Sequence, residues 1–126
     1  MRIKAFSALT QLSAHTLRYY EKMGLLDTIK RDASGHRLFS SHDVAWVAFV
    51  VRLKQTGMAL ADIRAYAELR AQGTATHRQR QQMLEQHRAM LSAQINQAQE
   101  HLKALDLKIQ YYNDQIDDDG DGDDGA

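Results

Sequence analysis

The stretch His15-Thr16-Leu17-Arg18-Tyr19-Tyr20-Glu21-Lys22-Met23-Gly24-Leu25-Leu26 decides the fold. Leu17 and Tyr20 stand three residues apart with Met23 and Gly24 following, so one side of a helix over 14–23 can pack inward. His15, Arg18, Tyr19 and Lys22 then remain available outward. Ser13 is placed to cap that helix, its hydroxyl accepting a hydrogen bond from a first-turn N–H. A short basic helix with aromatic residues on its face is suited to a polyanion. Of the two adjacent tyrosines, Tyr19 is expected outward and Tyr20 in the core.

Upstream, Ile3, Phe6 and Leu9 recur at three-residue spacing, the pattern of a short amphipathic helix. Two short helices separated by a tight turn make a helix-turn-helix. Downstream, Arg31-Asp32-Ala33-Ser34-Gly35-His36-Arg37-Leu38-Phe39-Ser40 places a Ser-Gly turn between two arginines and ends in an apolar pair, which reads as a hairpin wing gripping a phosphate backbone.

Ser41 is read as the cap of a third helix, in which Val44, Val47, Ala48, Val51 and Leu53 form a buried stripe around Trp46 and Phe49. Arg52 and Lys54 in its last turn and Gly57 beyond are stop signals. A fourth helix is expected from Leu60 to Ala71 on Ile63, Tyr66, Ala67 and Leu69, closed by Gly73. Thr76-His77-Arg78-Gln79 fits a capping box, and no glycine or proline follows before Gly120. One long helix is the simplest reading. Its apolar residues fall on two interleaved heptad series: Leu84, Leu91, Ala98, Leu105 and Tyr112, and Ile95, Leu102, Ile109 and Ile116. Such a seam, about 50 Å long at 1.5 Å per residue, is more than the small head can cover, so the helix is expected to pair with a copy of itself.

The net charge of zero conceals an asymmetry. Residues 1–60 hold nine Lys and Arg against four Asp and Glu, a surplus of five, while residues 117–124 hold six aspartates and no basic residue. The front half is thus electrostatically matched to nucleic acid. Residues 117–126 contain no apolar side chain except Ala126, and a disordered acidic tail is expected there.

Several chemistries are disfavoured. The chain has no cysteine, which removes disulfides, thiolate metal sites and thiol redox sensing together. There is no nucleophile–base pair, no phosphate-cradling glycine loop and no metal quartet, so neither an enzyme nor a cofactor is expected. His87 and His101 lie two heptads apart, about 21 Å along a helix axis, too far to share a metal. Asp117-x-Asp119-x-Asp121-Gly122 matches the first half of a calcium loop but lacks the bidentate glutamate. No stretch has the length and apolarity of a membrane span, and Met1-Arg2-Ile3-Lys4-Ala5-Phe6 lacks a secretory apolar core, so the cytoplasm is the expected compartment.

These residues resemble the MerR-type transcriptional regulators. The motif Thr16-Leu17-Arg18-Tyr19-Tyr20-Glu21, then Gly24-Leu25-Leu26, then Arg31, Gly35, Arg37, Phe39 and Asp43, carries the likeness over residues 1 to about 70. Gln11 stands where the family usually has glycine, Thr28 where a proline often follows, and His36 where the wing usually has tyrosine. The resemblance implies a mainly α fold: a winged helix-turn-helix DNA-binding head with a small β-wing over 1–72, then a dimerisation helix over 77–116 that forms an antiparallel coiled coil. It further implies a homodimer that binds a palindromic promoter element, bends and untwists the DNA, and acts on RNA polymerase. The DNA contacts it implies are Ser13, His15, Thr16, Arg18, Tyr19, Lys22, Arg31, His36, Arg37 and Lys54. If Arg18, Arg31, Arg37 and Lys54 of both protomers each neutralised one phosphate, log K would fall against log salt with a slope of about −7. Metal- and thiol-sensing members use cysteines and drug-sensing members add an effector domain. This chain has neither, leaving its effector unknown. An effector-independent architectural DNA-binding protein or constitutive repressor is the alternative, and a coiled-coil adaptor for acidic proteins is a more distant one.

Overall fold

The structure is a computed structural model, described here for residues 1–26 and 30–118. It comprises α1 (Ile3–Thr10), α2 (Ala14–Lys22), β1 (Lys30–Arg31), β2 (Arg37–Leu38), α3 (Ser41–Gln55), α4 (Leu60–Ala71), a single 3-10 turn (Thr74–Thr76) and α5 (His77–Asp117). Thr28 and residues 119–126 of the acidic tail, on which two of the expectations above fall, lie outside the described residues. The chain divides into two compact units, Met1–His87 and Arg88–Ala126, and the second is helix from Arg88 to Asp117.

The first unit closes around one core. Phe6 of α1 is fully buried and stacks on Phe39 at 4.2 Å between ring centroids and an interplanar angle of 8°. Leu17, Tyr20, Leu25 and Leu26 enter from α2 and the turn after it, Trp46, Val47, Val50 and Leu53 from α3, and Ile63, Tyr66 and Ala67 from α4. The Trp46 indole N–H is satisfied inside this core by the carbonyl of Leu25 at 2.6 Å, as a buried donor requires. Tyr20 is buried and Tyr19 exposed, the division read from the sequence.

The turn between α1 and α2 places Gln11 at φ 59°, ψ 23°, the left-handed region that most L residues avoid. A glycine in the family's usual position would hold that conformation without strain, so Gln11 stores a small cost in the turn. Thr10 stabilises the end of α1, its hydroxyl donating to the carbonyl of Phe6 at 2.8 Å.

Four local expectations are corrected. The cap of α3 is Ser40, not Ser41: the Ser40 hydroxyl accepts from the amide of Asp43 at 3.2 Å, and the Asp43 carboxylate accepts from the amide of Ser40 at 2.8 Å, a reciprocal box that satisfies two end donors at once. On the same helix the buried stripe runs through Trp46, Val47, Val50 and Leu53, with Val44, Phe49 and Val51 only partly buried and Ala48 exposed. Leu9 is 60% exposed, because α1 enters the core through Phe6, with Ile3 partly buried against it. Thr76 does not cap α5 through a capping box. Its hydroxyl turns back to the carbonyls of Leu69 and Gly73 and accepts from Arg80 Nε at 3.1 Å, since α5 is entered from a 3-10 turn rather than from extended chain.

On α5, Met83 and Leu84 are partly buried against the head core, so Leu84 serves the head rather than only a seam. Beyond the half-buried Leu91, Ile95, Ala98, Leu102, Leu105, Ile109, Tyr112 and Ile116 are all exposed, Leu105 to 59% and Ile116 to 72%. Among the described residues no helix is long and apolar enough to cross a membrane.

Candidate nucleic-acid interface

The recognition candidate is α2. Ser13 caps it in extended conformation, its Oγ accepting from the amide of Thr16 at 3.1 Å and donating to the Thr16 hydroxyl at 3.0 Å. Both of these predicted contact residues therefore shape the first turn of the helix. With Leu17 and Tyr20 buried, the helical period leaves His15, Arg18, Tyr19 and Lys22 exposed.

The wing is a two-stranded antiparallel ribbon, Lys30 opposite Leu38 and Arg31 opposite Arg37. Asp32 organises its turn. One carboxylate oxygen accepts from the amides of Ser34 at 2.9 Å and His36 at 3.0 Å, while the other meets Arg2 at 3.0 Å. Gly35 takes φ 82° there, a backbone conformation that glycine adopts freely. The amide of His36, opposed by partial desolvation and aided by the amide of Ser34 and by Arg2, holds the Asp32 carboxyl below its ordinary value of 3.8. An Asp with these bonds pins the wing tip as a local turn device. His36 and Arg31 are exposed, and Arg31 Nη1 donates to the carbonyl of Gly35 at 2.8 Å.

Three contacts that sequence spacing could not supply tie these elements together. Arg37 Nε meets Glu21 Oε2 at 2.6 Å, joining β2 to α2. Lys54 Nζ stands 5.3 Å from the centroid of the Tyr20 ring, bringing the end of α3 beside α2. Arg2, absent from the predicted set, links the start of the chain to the wing through Asp32. These contacts set the wing and the end of α3 against α2, the three elements that carry the predicted residues. Arg37 differs from the rest, being partly buried and already paired with a carboxylate.

A short basic helix braced by a basic ribbon defines a winged helix-turn-helix DNA-binding protein. Comparison with known proteins makes this specific. The sequence matches the family described as MerR HTH family regulatory protein over residues 1–69, and that described as MerR, DNA binding, over residues 44–110. An uncharacterized HTH-type transcriptional regulator of Haemophilus influenzae is 37% identical over 101 residues, covering 80% of this chain and 75% of that protein. Among solved structures, a MerR family transcriptional regulator from Listeria monocytogenes superposes with a TM-score of 0.84 at 34% identity, covering 92% of this chain and 88% of that one. HiNmlR, a MerR family regulator lacking the sensor domain and solved bound to promoter DNA, gives a TM-score of 0.75 at 32% identity over 91% of each chain. The chain belongs to the MerR family, whose members are DNA-binding transcriptional regulators and not enzymes.

Proposed function

We propose that this regulator works as a homodimer in the cytoplasm, its two heads reading a palindromic promoter element in adjacent major grooves. The observation that carries the reading is the single surface formed by α2, the wing and Lys54, closed by the Arg37–Glu21 and Lys54–Tyr20 contacts. The exposed series from Ile95 to Ile116 on α5 supports self-association, because a heptad stripe of this length is unfavourable in water and is covered well by an antiparallel copy. A related regulator of similar extent was solved on promoter DNA.

In this reading α2 reads base edges with His15, Arg18 and Tyr19, while Lys22, Arg31, His36 and Lys54 fix the register on the phosphates. A rigid pair of heads at fixed spacing favours DNA that can bend and untwist between the half-sites, a deformation costing a few kcal/mol that the wing contacts offset. Realigning the promoter elements in this way changes how RNA polymerase engages them.

Fluorescence anisotropy with a labelled duplex from a neighbouring promoter, combined with sedimentation at micromolar concentration, tests the proposal. The expected result is a dimer that binds the duplex with Arg18→Ala losing at least tenfold in affinity. A lone subunit, or undiminished binding by Arg18→Ala, overturns it.

A further inference from the structure

The apolar positions of α5 complement themselves when the helix is reversed. In an antiparallel heptad pair a residue of one series faces a residue of the other, so the available registers step by whole heptads. In one of them Leu91 meets the partner's Ile116, Ile95 the partner's Tyr112, Ala98 the partner's Ile109 and Leu102 the partner's Leu105, with the two-fold axis between Lys103 and Ala104. Each heptad position from Leu91 to Ile116 then has an apolar neighbour, and the smallest, Ala98, lies opposite a bulky one. All of these except half-buried Leu91 are exposed in the single chain.

The registers one heptad to either side fail for different reasons. One calls on Leu84 to meet the partner's Ile116, but Leu84 is partly buried against the head core. It also inserts Arg88 opposite the partner's Tyr112, where the guanidinium has no counter-charge in its layer. The other carries Leu91 and Ile95 past the partner's Ile116, leaving both uncovered. A parallel pair sets Arg88 against Arg88 and aspartate run against aspartate run.

In the first register Arg88 lies one layer beyond Leu91 and the partner's Ile116. The partner's helix closes there with Asp117 and Asp118, both exposed, the amide of Asp118 still bonded to the carbonyl of Asp114 at 3.1 Å. α5 has no basic residue in its last turn, so two carboxylates stand at the negative end of its dipole without a cation from their own helix end. Arg88 is exposed and makes no hydrogen bond or ion pair among the described residues. The residue that interrupts the apolar series is thus the one that meets a counter-charge, once at each end of the pair.

We propose that two copies of this chain pair through α5 in this register, and that Arg88 selects it by docking on the acidic end of the partner's helix. The inference rests on the self-association reading and adds the register and the residue that sets it. A slip of one heptad changes the separation of the two points where heads join helices by about 10 Å, so the register decides which half-site spacing the dimer fits.

The chain has no cysteine, so introduced thiols report neighbours without background. Full-length Ala98→Cys and Ile109→Cys, mixed and oxidised with a glutathione couple, are expected to form a disulfide between the two variants. Ala98→Cys mixed with Leu102→Cys reads one shifted register, mixed with Ile116→Cys the other, and alone the parallel pair; each is expected to stay unlinked, since one heptad places the thiols about 10 Å apart along the axis. In sedimentation at low salt, Arg88→Glu and the double variant Asp117→Lys/Asp118→Lys are each expected to weaken the dimer by about tenfold, and their combination to restore it to within a few-fold. Equal linkage of Ala98→Cys to Leu102→Cys or Ile116→Cys, an unweakened Arg88→Glu dimer, or no restoration overturns the assignment. A stable dimer without the Ala98–Ile109 link refutes the register and leaves self-association standing, whereas a single chain at micromolar concentration refutes both.

Discussion

The salt dependence of DNA binding separates Arg37 from its neighbours. Counterion release counts cations that exchange their condensed ions for phosphate, and each contributes about 0.9 to the slope of log K against log salt. Arg31 is such a cation: among the described residues its guanidinium bonds only a neutral carbonyl, that of Gly35 at 2.8 Å, and it is exposed. Arg37 is not, because Glu21 already sits 2.6 Å from its Nε and both side chains are about three-quarters buried, 28% and 27% exposed. Lys22, Arg31 and Lys54, the lysines and arginine assigned to phosphates, give on two heads a Z of about 6 and a slope of about −5, where including Arg37 gives about −7. The test compares Arg31→Gln with the double variant Glu21→Gln/Arg37→Gln, which removes one charge of each sign and leaves the net charge of the head unchanged. Binding to a generic duplex is followed by anisotropy from 50 to 200 mM salt, over which the wild type loses about a thousandfold in affinity. Arg31→Gln is expected to flatten the slope by about 2, one cation lost from each head. The double variant is expected to bind a few-fold more weakly at every salt concentration, through a loosened wing, with its slope unchanged. If the double variant flattens the slope as far as Arg31→Gln does, Arg37 leaves Glu21 for a phosphate and the reasoning fails.

Three further outcomes follow from the structure. Gln11→Gly relieves the left-handed strain at φ 59°, worth about 1–2 kcal/mol, against a smaller loss in chain entropy, so the urea midpoint should rise by an equivalent of about 0.5–1 kcal/mol at unchanged m-value, and Gln11→Ile should lower it. The Asp32 carboxyl titrates lower in the folded head than in the unfolded chain, chiefly because the amide of His36 donates to it; its stabilisation is therefore complete above the ordinary aspartate value and disappears as pH falls through the lowered one, and thermal scans of Asp32→Asn should lack that portion of the acid loss seen in the wild type. Leu102→Asp or Ile109→Asp, each at an exposed position of the heptad series, should shift sedimentation toward the single chain at micromolar concentration while the helical circular dichroism of the head persists; an unchanged dimer would remove this face as the pairing surface.

What was legible in the sequence was local. The inward and outward faces of α2 followed from Leu17 and Tyr20 at helical spacing, and α4 was bounded at Leu60 and Ala71 by its apolar pattern and Gly73. The wing was marked by the Ser-Gly turn between arginines. The cap of α3 was misplaced by one residue although the signal was present, since Ser40 stands three before Asp43 in capping-box spacing and Ser41 does not. The buried stripe of α3 was misread for a physical reason: apolar residues surround this helix on nearly every side, so periodicity selects no face and packing against α1 and α4 decides. The contacts that assemble the interface, Arg37 with Glu21, Lys54 with Tyr20 and Arg2 with Asp32, join residues 16, 34 and 30 positions apart. Nothing in local spacing encodes such pairings, and they appear only once the core has fixed the elements.

In the proposed mode of DNA binding, these pairings also explain how the head can carry acids beside its contact residues. An unpaired carboxylate beside a phosphate backbone opposes binding, yet Glu21 lies on the recognition helix and Asp32 at the wing tip. Each is matched by an arginine from another element, Arg37 for the first and Arg2 for the second. The acids therefore act inward as brackets that set the wing against the helix, and their charge is largely cancelled where it stands. Arg18, Lys22, Arg31 and Lys54 are left to shape the outward field, so the charge surplus of the first sixty residues is concentrated by geometry rather than diluted by its acids. By the same division of labour, an arginine near the DNA surface can serve as architecture, and the distinction between Arg31 and Arg37 rests on which carboxylate the fold has placed beside the second.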